Sequence, residues 1–539
     1  MLSNSRTSLR CNPSTRTSRE NRAGRILNSA HKFKMQSSKP AHVLLPLTAG
    51  LAALFSALTY GATPPSAAVL DIGSRRELFV DGQLVDQLKG KARLRLHAPV
   101  PREAVMEHDA PWEGSATAYH SIFQDGKLYR MWELCRYSIK ATTFAGVYVD
   151  GDRERIPYEA DAYLNQLSHY ATDHDPQMAR DTYDHLMANG TWPTEWASHM
   201  IFMAHADWLQ TGDTAWLAPR YVALKAKLLL ERARSDGLIV SNAAQIKKGD
   251  LVDWPVTERD GFVFTPVNTV ANAFYLRALT LMADLARVLR HDAAAADYTA
   301  RERRARAAFQ ETLFDPARGV YRDGEGTDHA AQHSNLFPLA FGLVPEAERA
   351  RVTTFVVARG MACSVYAAQY LLEGLFENGA ADTAHALIVA PGDRSWKHMV
   401  ESGTTITWEA WDQKYKPNQD WNHAWGAAPA NLFPRYVLGA RPLTPGWSRA
   451  TIRPHPGPLG EAEGQIPTPR GPVMISWKND ATFRLTLTLP KGMTAQVELP
   501  AAEGSRGVVR DEKSVRAHRA GAWWILDEEV SGVTTFDVR

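Results

Sequence analysis

From about residue 139 to 440 the chain repeats one pattern: apolar residues return at intervals of three and four, then Gly, Pro, Asn or Asp breaks the run. The runs include "EADAYLNQLSHYA", "EWASHMIFMAHADWLQ", "AWLAPRYVALKAKLLLERA", "NTVANAFYLRALTLMADLARVL" and "SVYAAQYLLEGLFE"; the breaks include "ANGTWP", "TGDT", "LVPEAE" and "ENGAAD". About twelve helices fit, each with one apolar stripe to bury. Helices paired by short turns build either an open solenoid of hairpins or a closed toroid of six inner and six outer helices. A solenoid requires a common repeat, and none is found. The links are also irregular, and "SNAAQIKKGDLVDWPVTERDGFVFTP" is long and rich in acids and aromatics, as functional loops on compact scaffolds are. The pattern predicts a mainly α chain with an (α/α)6 toroid over residues 138–444.

The flanks read differently. After Gly439 the period falls to two in "TFRLTLTLP", "TAQVELP", "SVRAHRAGAWWIL" and "GVTTFDV", which predicts a C-terminal antiparallel β-sandwich over 445–539. Upstream, "RELFVDG", "ARLRLHAP" and "YHSIFQDGKLYRMWEL" alternate, with "QDGK" as a hairpin turn, so residues 69–137 are expected to form a β-rich accessory segment. This segment resembles the opening of five-bladed β-propeller glycosidase-like proteins. One blade cannot bury both faces, so it either packs on the next domain or marks a fusion or mis-joined gene. Residues 1–68 carry a basic leader, the apolar run "HVLLPLTAGLAALFSALTYGA" and the small residues "PPSAA", the layout of a secretory signal, with Met35 as an alternative start. Export to the periplasm or beyond is the expectation, and a single membrane anchor is the second reading.

Charge and cysteine usage narrow the chemistry. With 61 basic and 59 acidic residues the net charge is +2, which gives no long-range field for nucleic acid. Three cysteines, Cys11, Cys135 and Cys363, form neither a disulfide framework nor a zinc pattern, so no metal and no cofactor is expected. Sixteen tryptophans supply flat apolar faces suited to cores and equally to sugar C–H surfaces.

Just before the first long helical run, "DGDRERIPYEADAY" crowds Asp150, Asp152, Glu154, Glu159 and Asp161 around Arg153 and Arg155. One reading is a solvated loop whose acids face a positive helix N-terminus. A second is a calcium loop, since Asp150, Asp152, Glu154 and Asp161 fall at positions 1, 3, 5 and 12, although Arg155 replaces the turn glycine. The third is a glycosidase acid, because crowded carboxylates cannot all ionise and one stays protonated to donate to a leaving oxygen. Its partner is sought in "GTTITWEAWDQ", which sets Glu409 between Trp408 and Trp411; a carboxylate walled by indoles suits a general base that activates water. "NGTWPTEW" adds Trp192 and Glu195, "DLVDWP" adds Asp253 and Trp254, and "QDWNHAWG" adds Trp421, His423 and Trp425, each cluster pairing a polar group with a flat face for a sugar.

The stretches "FAGVYVDGDRERIPYEADAY", "NGTWPTEW", "GTTITWEAWD" and "NHAWGAAPANLFPRYVLGARPLTPGW" together resemble the catalytic domain of family 78 glycoside hydrolases, the α-L-rhamnosidases, over nearly three fifths of the chain. The resemblance implies a six-hairpin barrel followed by a β-sandwich, a rhamnosyl glycoside or polysaccharide as substrate, and inversion at the anomeric carbon. Carried over by position, it implies Glu154 as proton donor and Glu409 as base. Asp150 and Asp161 then bind rhamnose hydroxyls or tune the acid, while Asp253, Trp254 and His423 line the sugar site. The family's Arg-Asp-Glu-Arg core with a following Gly-Trp stands here as Asp152-Arg153-Glu154-Arg155 and Ile156-Pro157-Tyr158, which brings Glu159 forward as a rival acid. The alternatives are an (α/α)6 glycosidase or polysaccharide lyase for another sugar, and a non-catalytic carbohydrate-binding relative.

Overall fold

In the computed structural model the described residues are 121–123, 126–143, 145–151 and 153–539; the leader and nearly all of the β-rich segment expected before residue 121 lie outside them. Among the described residues twelve α-helices build the ring, in order α1 (Gly126–Ala141), α2 (Glu159–Tyr170), α3 (Gln177–Ala188), α4 (Ala197–Thr211), α5 (Tyr221–Leu224), α6 (Thr269–Val288), α7 (Asp292–Leu313), α8 (His333–Ala340), α9 (Glu346–Arg359), α10 (Val365–Glu377), α11 (Ala381–Ile388) and α12 (Ala428–Leu432), and three further short ones, Thr214–Leu217, Ala243–Lys248 and Trp396–Glu401, lie in the links. Even-numbered helices pack on one another in sequence, and α12 returns to α2, so the ring closes. Odd-numbered helices lie outside it. The toroid is the architecture expected from the periodicity.

Burial explains which helices face inward. Nearly every residue of α6 and α10 is buried, because an inner helix meets two ring neighbours and an outer layer. Outer helix α7 buries only a stripe that includes Tyr298, Ala305 and Phe309. At the centre, Phe202, Phe274, Phe337 and Tyr370 come from four inner helices, with ring centroids 4.9 Å apart for Phe274 and Phe337 and 5.3 Å apart for Phe337 and Tyr370.

Two expectations need correction. The stretch read as a β-hairpin around "QDGK" is a short strand, β1 (Ser121–Phe123), followed at once by helix α1. Leu128, Met131, Trp132, Cys135 and Ile139 are all buried, a spacing of three and four that won over the apparent alternation because α1 packs on α2 and α12 as the outer helix at the ring's closure. The ring therefore begins at Gly126, inside the segment expected to be accessory. The helix expected over "AWLAPRYVALKAKLLLERA" is likewise broken into Thr214–Leu217, α5 and a 3-10 turn, Lys225–Leu228. Pro219 lacks the N–H the ladder needs, and Leu229 at φ 52° ends the run.

Strands β2 (Phe314–Asp315) and β3 (Val320–Tyr321) form a small hairpin inside the barrel. The C-terminal sandwich follows with β4 (Ala440–Pro442), β5 (Arg449–Ile452), β6 (Glu461–Ile466), β7 (Val473–Asn479), β8 (Phe483–Thr488), β9 (Thr494–Pro500), β10 (Val508–Arg510), β11 (Lys513–Val515), β12 (Ala517–Ala520), β13 (Trp523–Leu526) and β14 (Val533–Val538). One sheet runs β1-β6-β7-β8-β14-β10-β11 and the other β12-β13-β9-β5-β4; neighbours are antiparallel except β5 and β9. Alternate residues such as Val473, Ile475 and Trp477, or Phe483, Leu485 and Leu487, point into the shared core. The sandwich is tied to the ring by Trp477 Nε1 donating to Val437 O at 2.9 Å and Trp447 Nε1 donating to Gln210 Oε1 at 2.8 Å. No helix among the described residues is long and apolar enough to cross a membrane.

Candidate active site

The loop between α1 and α2 and the loop leading into α12 meet where the ring closes. The second of these is stitched by its own backbone: Glu409 N–H donates to Asp420 O at 3.1 Å, Asp420 N–H returns to Glu409 Oε2 at 2.8 Å, and His423 N–H donates to Thr407 O at 2.7 Å. Trp425 Nε1 donates to Glu409 O at 3.0 Å, which fixes the residue from behind. Glu409 is buried, and its Oε1 accepts from Trp254 Nε1 at 3.3 Å. Lys416, itself buried, lies 3.0 Å from Glu409 Oε2. The carboxylate thus meets an ammonium and two N–H donors, charge-assisted contacts that fix its orientation.

From the first loop, Arg153 reaches across the gap. Its guanidinium contacts Glu154 at 2.6 Å, Glu409 at 3.6 Å and Asp420 at 3.6 Å, and its backbone N–H donates to Asp420 Oδ1 at 3.2 Å. Glu154 also accepts a short hydrogen bond from Tyr158 Oη. Burial pushes the Glu154 carboxyl up, but the hydrogen bonds from Tyr158 and Arg153 and the charges of Arg153 and Lys416 outweigh it and hold Glu154 below its ordinary value. Asp150 behaves oppositely: burial, with added repulsion from Glu154 and Asp420, raises it to about 7 although the backbone N–H groups of Gly151 and Ile156 pull it down. Gly151 keeps the loop close, since a Cβ there would stand 2.5 Å from Asp420 Oδ2.

Asp161, on the first turn of α2, is buried with both oxygens lacking a hydrogen-bond partner, and His423 Nε2 stands 3.4 Å from Oδ1. Burial, then the charges of Asp150, Glu409 and Glu154, raise Asp161 well above the usual carboxylate range. Burial and the nearby Lys416 and Arg153 push His423 well below its ordinary value, which leaves a neutral imidazole. Asp150, Asp420 and His423 offer atoms within 4.8 Å of one another, a set that would suit a cation, but Arg153 and Lys416 already bring positive charge to this space. The calcium-loop geometry is not formed: Glu154 turns to Tyr158 and Arg153, Asp161 points into the barrel, and Asp152 lies outside the described residues.

The structure thus gathers Asp150, Glu154, Asp161, Glu409, Trp254 and His423, and it sets other expected residues apart. Trp408 is buried, donates to Thr404 and meets Trp421 edge-on at 5.1 Å; Trp421, 49% exposed, is the indole of that pair open to a ligand. Trp411 is 0% exposed, donates to Cys363 O and packs on Trp396, so it is core. Glu159 spends both oxygens on the N–H and hydroxyl of Thr191. Glu195 accepts from the N–H groups of Leu251 and Val252, shaping that turn, with its carboxyl raised to about 7 by burial and Asp250. Asp253, also 0% exposed, is saturated by His333, the backbone N–H of Trp254, and both the N–H and hydroxyl of Ser364. Trp192 is 58% exposed at the mouth of a neighbouring cavity. Sequence reasoning missed Lys416 and Asp420; the available signal was an acid and a base crowded with aromatics in "DQKYKPNQDW".

Residues 123–437 match the model of the bacterial α-L-rhamnosidase six-hairpin glycosidase domain, and residues 439–514 match the bacterial α-L-rhamnosidase C-terminal domain. The chain belongs to the bacterial α-L-rhamnosidase family. Among curated family members, an α-L-rhamnosidase of Alteromonas sp. (strain LOR) is 25% identical over 362 residues, covering 62% of this chain and 38% of that protein. One from Streptomyces avermitilis is 26% identical over 328 residues, covering 58% of this chain and 30% of that protein. The chain therefore spans about a third of the length of these two relatives. The fold is shared with the α-L-rhamnosidase structure from Dictyoglumus thermophilum, at a TM-score of 0.69, 18% identity, 78% of this chain and 50% of that one. It is shared also with the Streptomyces avermitilis α-L-rhamnosidase complexed with L-rhamnose, at 0.66, 20% identity, 78% and 42%.

Proposed function

We propose that this chain hydrolyses terminal α-L-rhamnosyl bonds with inversion, Glu154 acting as general acid and Glu409 as general base. The observation that carries the reading is that one guanidinium, that of Arg153, touches both carboxylates through different nitrogens at 2.6 and 3.6 Å. This caps the separation of the two nearest oxygens at roughly 9 Å, a range that overlaps the ~6.5–9.5 Å of an inverting pair and, at its short end, includes the ~5 Å of a retaining one, so inversion rests on the family resemblance. Glu409 removes a proton from water; the water oxygen bonds to the anomeric carbon as the glycosidic C–O bond breaks, and the leaving oxygen takes the proton of Glu154. A sugar arriving over Glu154 excludes water and strengthens the burial that already pushes its carboxyl upward, and Asp150, protonated up to about 7, stands close by as a proton source. Asp161, its carboxyl pushed up by burial, and the imidazole of His423 supply polar groups for sugar hydroxyls, and Trp421 a flat face. Asp253, Glu195 and Glu159 act one step back, holding the loops that carry the site. A lyase is disfavoured, since burial and Glu154 raise the Tyr158 phenol and make it a poor base. The signal-like leader supports action outside the cytoplasm.

The reading is tested with an aryl α-L-rhamnoside followed by NMR. Release of L-rhamnose first as the β-anomer is expected; the α-anomer first overturns inversion, and no release overturns the hydrolase.

The Asp150 carboxyl gives a pH prediction with a definite sign. Below about 7 Asp150 carries a proton it can pass to Glu154, and as pH rises through about 7 that proton is lost. The alkaline limb of the wild-type kcat/KM profile should therefore fall near 7. In Asp150→Asn, which has no proton to give, kcat/KM should drop below pH 7 and that limb should flatten; a variant that keeps the wild-type profile would refute the coupling.

A further inference from the structure

Next to Glu409 lies a second space, a cavity of about 780 Å³ bounded by the link between α3 and α4 and by the long link between α5 and α6. Trp254 belongs to both spaces: its indole N–H donates to Glu409 Oε1 while its ring lines the cavity. A group attached to the cleaved sugar has this cavity as its adjoining volume. Trp192, Trp254 and Phe264 give it flat apolar walls.

Its charge is one-sided. Arg259 is half-buried, its Nε donating to Asp253 O at 2.8 Å and its guanidinium 5.2 Å from the Phe264 ring, and it enters no ion pair among the described residues. Lys247 and Lys248 end the short helix Ala243–Lys248, are exposed, and likewise enter no ion pair among the described residues. The one acid of the wall, Asp250, is buried, accepts from Asn268 Nδ2 at 2.9 Å and faces Arg232 at 3.8 Å. Burial pushes the Arg259 guanidinium below its ordinary value and the charges of Asp253 and Glu195 offset this only in part, so a ligand carboxylate in direct contact would be stabilising.

We propose that this cavity is the subsite for the sugar next to the terminal residue and that it selects one bearing a carboxylate, a hexuronate. Aromatic walls take the pyranose faces, Arg259 takes the carboxylate as a two-pronged donor, and the two lysines add attraction at the rim. The proposal rests on the hydrolase reading for the position of the cleaved sugar.

The test compares two α-L-rhamnosyl disaccharides that differ only in the second sugar, glucuronic acid or glucose. The readout is the ratio of their kcat/KM values, which cancels general loss of activity. Wild type should prefer the uronate by roughly tenfold or more at low salt, with the preference shrinking as salt rises. Arg259→Gln or the double variant Lys247→Gln/Lys248→Gln should bring the ratio toward one; the lysines are exposed, so the double variant keeps the fold. A ratio near one in wild type, or a preference that survives both variants, overturns the proposal. If neither disaccharide nor an aryl rhamnoside is cleaved, the hydrolase reading fails by itself. Calorimetric titration then decides the subsite: tighter binding of the uronate, lost in Arg259→Gln, upholds it, and equal binding overturns it.

Discussion

Glu409→Gln should lower kcat by roughly 10²–10⁴-fold, the usual contribution of a general base, with KM within a few-fold of wild type. Glutamine keeps the shape and the acceptor oxygen but cannot take a proton from water. The environment makes the change severe, because Lys416, Arg153, the Trp254 indole N–H and the Asp420 N–H all point at the carboxylate as donors. Whichever way the amide turns, its NH₂ meets a donor, and Lys416 is left buried without its counter-charge. A melting curve recorded beside the kinetics separates lost chemistry from lost fold. A folded variant retaining a tenth of wild-type turnover would remove Glu409 from the base role.

Glu154→Gln should show a loss that depends on the leaving group. For a sugar or alkyl aglycone, whose oxygen must be protonated as the bond breaks, a drop of roughly 10²–10⁴-fold is expected. For a dinitrophenyl rhamnoside, whose leaving oxygen is stable as an anion, the drop should be far smaller. The rival Glu159 makes the opposite forecast, since both of its oxygens are engaged by Thr191. Glu159→Gln should impair all substrates to a similar degree through the loop it holds. A leaving-group dependence in Glu159→Gln and none in Glu154→Gln would exchange their assignments.

These assignments show what a sequence can and cannot disclose here. Inner helices such as α6 and α10 were legible because a fully surrounded helix must be apolar over most of its surface. Helix α1 was hidden because Tyr129, Arg130 and Met131 alternate apolar and polar as a strand does when the partners of Trp132 and Cys135 are unknown. Composition brought forward Glu409 and Trp254, which share a hydrogen bond in the fold. It equally brought forward Trp411 and Asp253, whose side chains turn into the core toward Cys363, and toward His333 and Ser364. Spacing along a loop says nothing about which way a side chain turns. Lys416 and Asp420 escaped notice for the same reason, because their importance lies in backbone pairing and burial next to Glu409.

The place where the ring shuts has a consequence for how the protein comes into being. Glu154 precedes the first inner helix and Glu409 the last, and α1, α2 and α12 meet at that seam. During synthesis Glu154 is made some 250 residues before Glu409, roughly 13–50 s at typical ribosomal speeds. Throughout that interval α2 waits for its final neighbour with its apolar side uncovered. The meeting of these two carboxylates and completion of the barrel therefore arrive as one event, and a nascent chain halted anywhere before the last hairpin has neither the paired site nor a covered core.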